Sequence, residues 1–147
     1  MQRDLHHSIL AKRAIAPTTV GTTGTGHTSP TIDRLGYQGV EFIASFGSVT
    51  ATNATVAMKL LECDTTGGSF TTVAAADLLG TLAAFGIGAT ASRVSGVSKN
   101  VAKQIGYIGR KRYLQVSEVP TVSAGVNVDV VALLHSPSHA PAGATEV

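Results

Sequence analysis

The sequence predicts a mainly β protein: a single antiparallel β-sandwich or jelly-roll-like domain with an extended N-terminal arm and a Pro-rich C-terminal tail. Three observations carry this expectation. Val40, Phe42, Ala44 and Phe46, then Val56, Met58 and Leu60, then Val126, Val128, Val130 and Ala132 recur with the two-residue period of strands buried on one face. Clusters of Gly, Thr, Asn, Asp and Ser separate these runs and supply turns. Helical periodicity is confined to short pieces, so sheet must pack on sheet. The expected divisions are an arm over residues 1–30, a β-rich core over 31–135 and a tail over 136–147.

In the arm, Asp4 to Ile15 is expected to form a short helix, because Leu5 and Ile9 fall one turn apart. Thr18 to Pro30 is dominated by Thr and Gly and has too little apolar surface to order itself alone. That stretch is expected to be either loose or held extended along something else. The core begins near Thr31. The run through Val40 to Phe46 and the run Val56 to Leu60 are expected to pair antiparallel across the polar turn Gly47–Asn53. Asp64 to Ser69 reverses the chain, and Phe70 to Val73 is a short strand. Ala74 to Gly80 reads as a brief helical turn ended by glycine. The chain to Ala91 has no clear period and reads as loop or weak strand, and Arg93 to Val97 as a short edge strand. Gln104–Ile108 and Arg112–Glu118 read as two strands hinged at Gly109–Arg110, with Leu114 and Val116 on one side and Tyr113, Gln115 and Ser117 on the other. Val126 to Ala132 is the last long strand, and His135 to Gly143 is irregular.

A chain of 147 residues is long enough for one core without a metal or disulfide. Cys63 is the single cysteine, so no intrachain disulfide forms. Its neighbours Glu62 and Asp64 are the reverse of the electropositive setting a reactive thiolate needs. The formal charge of +2 and the absence of Trp argue against a nucleic-acid-binding face. The N-terminus lacks the apolar core of a secretion signal. The most hydrophobic run, Val73 to Ala89, contains Asp77 and three glycines, short of the ~20 apolar residues of a bilayer span. A soluble, unsecreted chain is expected.

Catalytic motifs are hard to assemble from these residues. His6, His7, His27, His135 and His139 are scattered. The four-residue spacing of His135 and His139 suits a metal only on a helix, and Pro137 between them breaks one. Gly21 to Gly26 lacks the Lys-Ser/Thr ending and following helix of a phosphate loop. No serine sits in a Gly-x-Ser-x-Gly elbow, and Asp33, Glu41, Glu62, Asp64 and Asp77 are expected in turns or pointing outward on strands. No enzyme activity, metal or cofactor is expected.

One stretch stands apart. Ile105-Gly-Tyr-Ile-Gly-Arg-Lys-Arg-Tyr-Leu-Gln-Val-Ser117 sets Arg110, Lys111 and Arg112 between Tyr107 and Tyr113. It reads equally well as a solvated hairpin tip protecting a strand edge and as an anchoring patch whose cations grip a partner's carboxylates. The flanking tyrosines favour an interface. Tyr107, Arg110, Lys111, Arg112 and Tyr113 are therefore the candidate interface residues.

The same block, with Ile32 to Ile43, Leu60 to Asp64, Ala76 to Gly80 and Ser136 to Pro141 in order, resembles small proteins of tailed-phage and prophage structural modules, the head decoration (cement, or minor capsid) proteins. The resemblance spans roughly residues 4–141, rests chiefly on Gly-Tyr-Ile-Gly-Arg-Lys-Arg-Tyr, and brings no catalytic residues. It implies a virion structural protein that binds the major capsid protein on the outer capsid surface after assembly in the bacterial host cytoplasm. It also implies self-association, a homotrimer first and a dimer second, with no membrane or direct nucleic-acid partner. Removing residues 1–27 is then expected to impair docking more than folding. A neck or tail structural protein and a glycan-binding β-sandwich on the virion are the alternatives.

Overall fold

The structure, a computed structural model, describes residues 5–20, 26–121 and 125–138. Its strands are β1 (Ile9–Val20), β2 (His27–Thr28), β3 (Ile32–Asp33), β4 (Tyr37–Phe46), β5 (Thr55–Cys63), β6 (Thr71–Thr72), β7 (Leu78–Leu79), β8 (Val101–Tyr107), β9 (Tyr113–Thr121) and β10 (Val126–Pro137). They form two antiparallel sheets, in the orders β1-β10-β4-β8-β7 and β2-β9-β5-β6, with β3 also on β9. Their inner faces share one core, the sandwich the alternating sequence calls for. Val40, Phe42, Ala44 and Phe46 of β4 and Val128, Val130, Ala132 and Leu134 of β10 meet Val56, Met58 and Leu60 of β5 and Leu114 and Val116 of β9. Each large apolar side chain buried this way contributes about 1.5–3 kcal/mol.

Several local expectations are corrected. Residues 9–15 are strand, not helix, after a single 3-10 turn at His6–Ser8. Ile9, Ile15 and Val20 are β-branched and Pro17 cannot donate a helical hydrogen bond. Pairing with β10 also buries Ala14, Ile15 and Val20, which a lone helix cannot do. Register shifts between Arg13 and Ile15 and between Ile15 and Thr18 let the consecutive Ala14 and Ile15 both be buried. The residues expected as an arm are thus held extended, but along their own core. Residues 9–20 belong to the first sheet, and 27–33 run along β9 in the second, where Ser29 N donates to Val116 O at 2.8 Å. Residues 1–4 and 21–25 of the expected arm lie outside the described residues.

The run Val56 to Leu60 does not pair with Val40 to Phe46. β5 pairs with β9 and β6 in the second sheet, whereas β4 lies between β10 and β8 in the first. The turn between them therefore crosses the sandwich. Arg93 to Val97 is not a strand either. The Arg93 guanidinium donates to the carbonyls of Ala51 and Gly88 at 2.7–3.0 Å, and the chain reverses at Gly96, whose φ is +78°. Residues 75–77 make the expected helical turn before Gly80, and a four-residue helix, α1 (Leu82–Phe85), follows in the stretch expected to be loop. β10 continues to Pro137, opposite Tyr37, and the expected tail beyond 138, with His139, lies outside the described residues.

Candidate functional site

Gln104–Ile108 and Arg112–Glu118 are not the two arms of a hairpin. β8 lies in the first sheet and β9 in the second, so residues 108–112 cross from one sheet to the other at an end of the sandwich. The crossing carries the three consecutive cations, and its geometry decides what they do.

Tyr107, at the end of β8, is wholly buried. Its hydroxyl donates to Glu62 Oε2 on β5 at 2.6 Å and accepts from the Lys111 amide at 3.0 Å, tying both sheets and the crossing to one phenol. Burial first, and the Glu62 carboxylate second, raise the phenol's pKa well above its ordinary value. Arg34 closes the same end. Its guanidinium lies 5.4 Å from the Tyr107 ring centroid and donates to the carbonyls of Gly109 (2.8 Å), Lys111 (2.6 Å), Gln38 (2.9 Å) and Tyr37 (3.3 Å). One planar cation thereby satisfies carbonyls that the crossing would otherwise leave unpaired. A side chain at Gly109 has no room, because a Cβ there would stand 2.5 Å from the Tyr107 hydroxyl.

The cations of the crossing are mostly engaged within the chain. Arg112 forks onto Asp33, Nε to Oδ1 at 2.8 Å and Nη2 to Oδ2 at 2.6 Å, and stacks 4.9 Å from the Tyr113 ring centroid. That hydrogen bond holds the Asp33 carboxyl below its usual range. Lys111 pairs with Asp64. Tyr113 is buried at the start of β9, and its hydroxyl accepts from Thr66 Oγ1 at 2.6 Å. Arg110 differs. It is exposed and, among the described residues, makes no side-chain hydrogen bond or ion pair. Ile108 beside it is 50% exposed, although its backbone is pinned by an amide bond to Asp77 O at 3.0 Å. Of the five expected interface residues, the structure brings Tyr107, Lys111, Arg112 and Tyr113 into internal contacts and leaves Arg110 facing out, with Ile108 as an exposed apolar neighbour.

Sequence reasoning missed Arg34, and no spacing in the chain links position 34 to the crossing. It also missed that Glu62 points inward, although the signal was present: Glu62 continues the phase of Val56, Met58 and Leu60. Glu118 repeats the pattern after Leu114 and Val116. It is fully buried, and its Oε1 accepts from the His27 amide at 2.9 Å and bonds the His27 ring at Nδ1.

Among the described residues no group of three or more His, Cys, Asp or Glu could hold a metal ion, and no helix is long and apolar enough to cross a membrane. His6 and His7 stack edge to face in the 3-10 turn, and His135 packs against Gly39 on β4. Cys63 is buried, and its thiol donates to Thr65 O at 3.3 Å. Compared with protein-family models, curated proteins and solved structures, the chain matches none.

Proposed function

We propose that this chain is a bacteriophage virion protein that decorates and stabilises the capsid shell by binding the major capsid protein. One observation supports this reading above the others: the crossing between β8 and β9 is rigidly braced by Tyr107, Glu62 and Arg34, yet presents Ile108 and Arg110 outward. A protein that must occupy many equivalent shell sites gains from such a knob, because a preorganised contact loses little entropy on docking. An aliphatic side chain beside an unpaired Arg suits an interface, since Arg forks bind carboxylates and apolar neighbours exclude water around them. The resemblance of the Gly-Tyr-Ile-Gly-Arg-Lys-Arg-Tyr block to head decoration proteins supplies the identity of the partner.

The test is to mix the full chain with expanded, emptied heads of the phage that encodes it, and to measure binding by cosedimentation and copy number by cryo-EM. Saturation at a fixed ratio to the major capsid protein, with density on the outer surface, is the expected result. Absence of binding, or density confined to a few copies or rings at the neck or tail, overturns the assignment.

A further inference from the structure

The outer face of the first sheet carries a feature that the crossing does not use. Residues directly opposed across a strand pair share a face of the sheet. Ala11, Leu133 and Glu41 therefore form one row across β1, β10 and β4, and Arg13, Val131 and Ile43 form the next. All six are at least partly exposed. The result is an apolar centre with one cation and one anion at opposite corners. Among the described residues, neither Arg13 nor Glu41 makes a side-chain hydrogen bond or ion pair. Burial already pushes the Glu41 carboxyl above its ordinary range, against the opposing pull of His135. The outer face of the second sheet is different in kind: Thr28, Ser117 and Lys59 share one of its rows, and Gln115, Leu61 and Thr72 another.

We propose that the outer face of the first sheet binds a second copy of this chain across a two-fold axis crossing β10 between Val131 and Leu133. Strands about 4.8 Å apart, with same-face residues about 6.8 Å apart along each, place Arg13 and Glu41 symmetrically about that point. An axis in the plane of the interface, perpendicular to the line joining them, sets Arg13 of each copy over Glu41 of the other. The same axis passes about 2 Å from Ala11, Leu133, Val131 and Ile43, so each of these apolar residues faces its own counterpart, with Val131 and Leu133 straddling the axis. Both unpaired charges gain a partner, and the arrangement is self-complementary and closed. This charge complementarity selects a second copy over an unrelated partner, and a two-fold pair over the three-fold arrangement that shell symmetry suggests. The inference stands apart from shell binding.

Sedimentation equilibrium of the full chain tests it, with Arg13→Glu, Glu41→Arg and the double charge swap, each first shown to be folded by its thermal unfolding transition. The wild type is expected to be a dimer. Each single reversal, which sets like charges opposite one another, is expected to weaken association by roughly 100-fold or more. The double swap is expected to restore the dimer, a recovery that a merely destabilised chain cannot show. A monomeric or trimeric wild type, single variants that associate normally, or a double variant no better than its parents each overturns the proposal. So does hydrogen exchange in which only added expanded heads, and never a second copy, protect the Ile43 amide. That last outcome assigns the face to the shell, while shell binding itself is read separately by cosedimentation.

Discussion

At the crossing between β8 and β9, Asp33, Arg34, Glu62, Asp64, Lys111 and Arg112 bond to one another, to a phenol or to backbone carbonyls, and Arg110 alone among the three consecutive cations faces out. On the outer face of the first sheet charges are fewer, yet among the described residues Arg13 and Glu41 make no side-chain hydrogen bond or ion pair beside an apolar centre. The region richest in charge is thus the one whose charge is mostly internal. Density of Lys and Arg along a sequence measures how much polar bracing a crossover requires as much as it measures an interface. What marks a surface for binding is charge left unpaired next to apolar area.

The largest test of this contrast removes what holds both regions. Deleting residues 1–27 strips β1 from β10, and with it Ile15 and Val20, whose burial together contributes about 3–6 kcal/mol. Typical total stabilities are about 5–15 kcal/mol. The truncated chain is therefore expected to lose cooperative urea unfolding, rather than to fold normally and dock poorly. A sharp transition near the wild-type midpoint would return residues 9–20 to the status of a detachable arm.

The next effect is confined to the crossing. Tyr107→Phe keeps the ring but leaves Glu62 Oε2 without its donor and the Lys111 amide without its acceptor. Urea denaturation is expected to show a loss of about 1–3 kcal/mol. A neutral result would mean that the phenol does not brace the crossing.

The smallest effects separate the two regions by sign. Asp33 has a depressed pKa in the folded chain, first through its hydrogen bond to Arg112. Its contribution is present above the ordinary Asp value of about 4 and fades as pH falls through the lower, folded value. Glu41 has a raised pKa, through desolvation. Its contribution is present below the ordinary value of 4.5 and is lost as pH rises through the folded one. Both groups are substantially open to solvent, so the effects are small. Asp33→Asn is expected to lower stability slightly at pH 7, by an amount that shrinks as pH falls below the ordinary Asp value. Glu41→Gln is expected to raise it at pH 7 by less than about 0.5 kcal/mol when measured on monomer. Thermal unfolding across pH, at protein concentrations below association, checks both. Identical slopes for the two variants would erase the distinction between a paired and an unpaired carboxylate.

The fold class was legible because β4, β5 and β10 each bury one face, and a two-residue period survives any rearrangement of neighbours. Which strand pairs with which was not. Two strands joined by a short link look the same in sequence whether they pair in one sheet or bridge two, and both the β4–β5 and β8–β9 links bridge. β1 was hidden by Leu5 and Ile9, whose helical spacing is outweighed by the burial that β10 offers to Ala14, Ile15 and Val20. At the site, the exposure of Arg110 agrees with its place in the run of cations. Lys111 and Arg112 belong to the same run, but their partners Asp64 and Asp33 are remote in the chain, and no spacing matches them.

The central claim is that Ile108 and Arg110, displayed by a braced crossing, contact the shell. Cosedimentation of expanded heads with the wild type and with an Ile108→Asp, Arg110→Glu double variant tests it most directly. Saturating binding by the wild type is expected, with the variant left in the supernatant at an unchanged unfolding midpoint. Equal binding of the two proteins would contradict it.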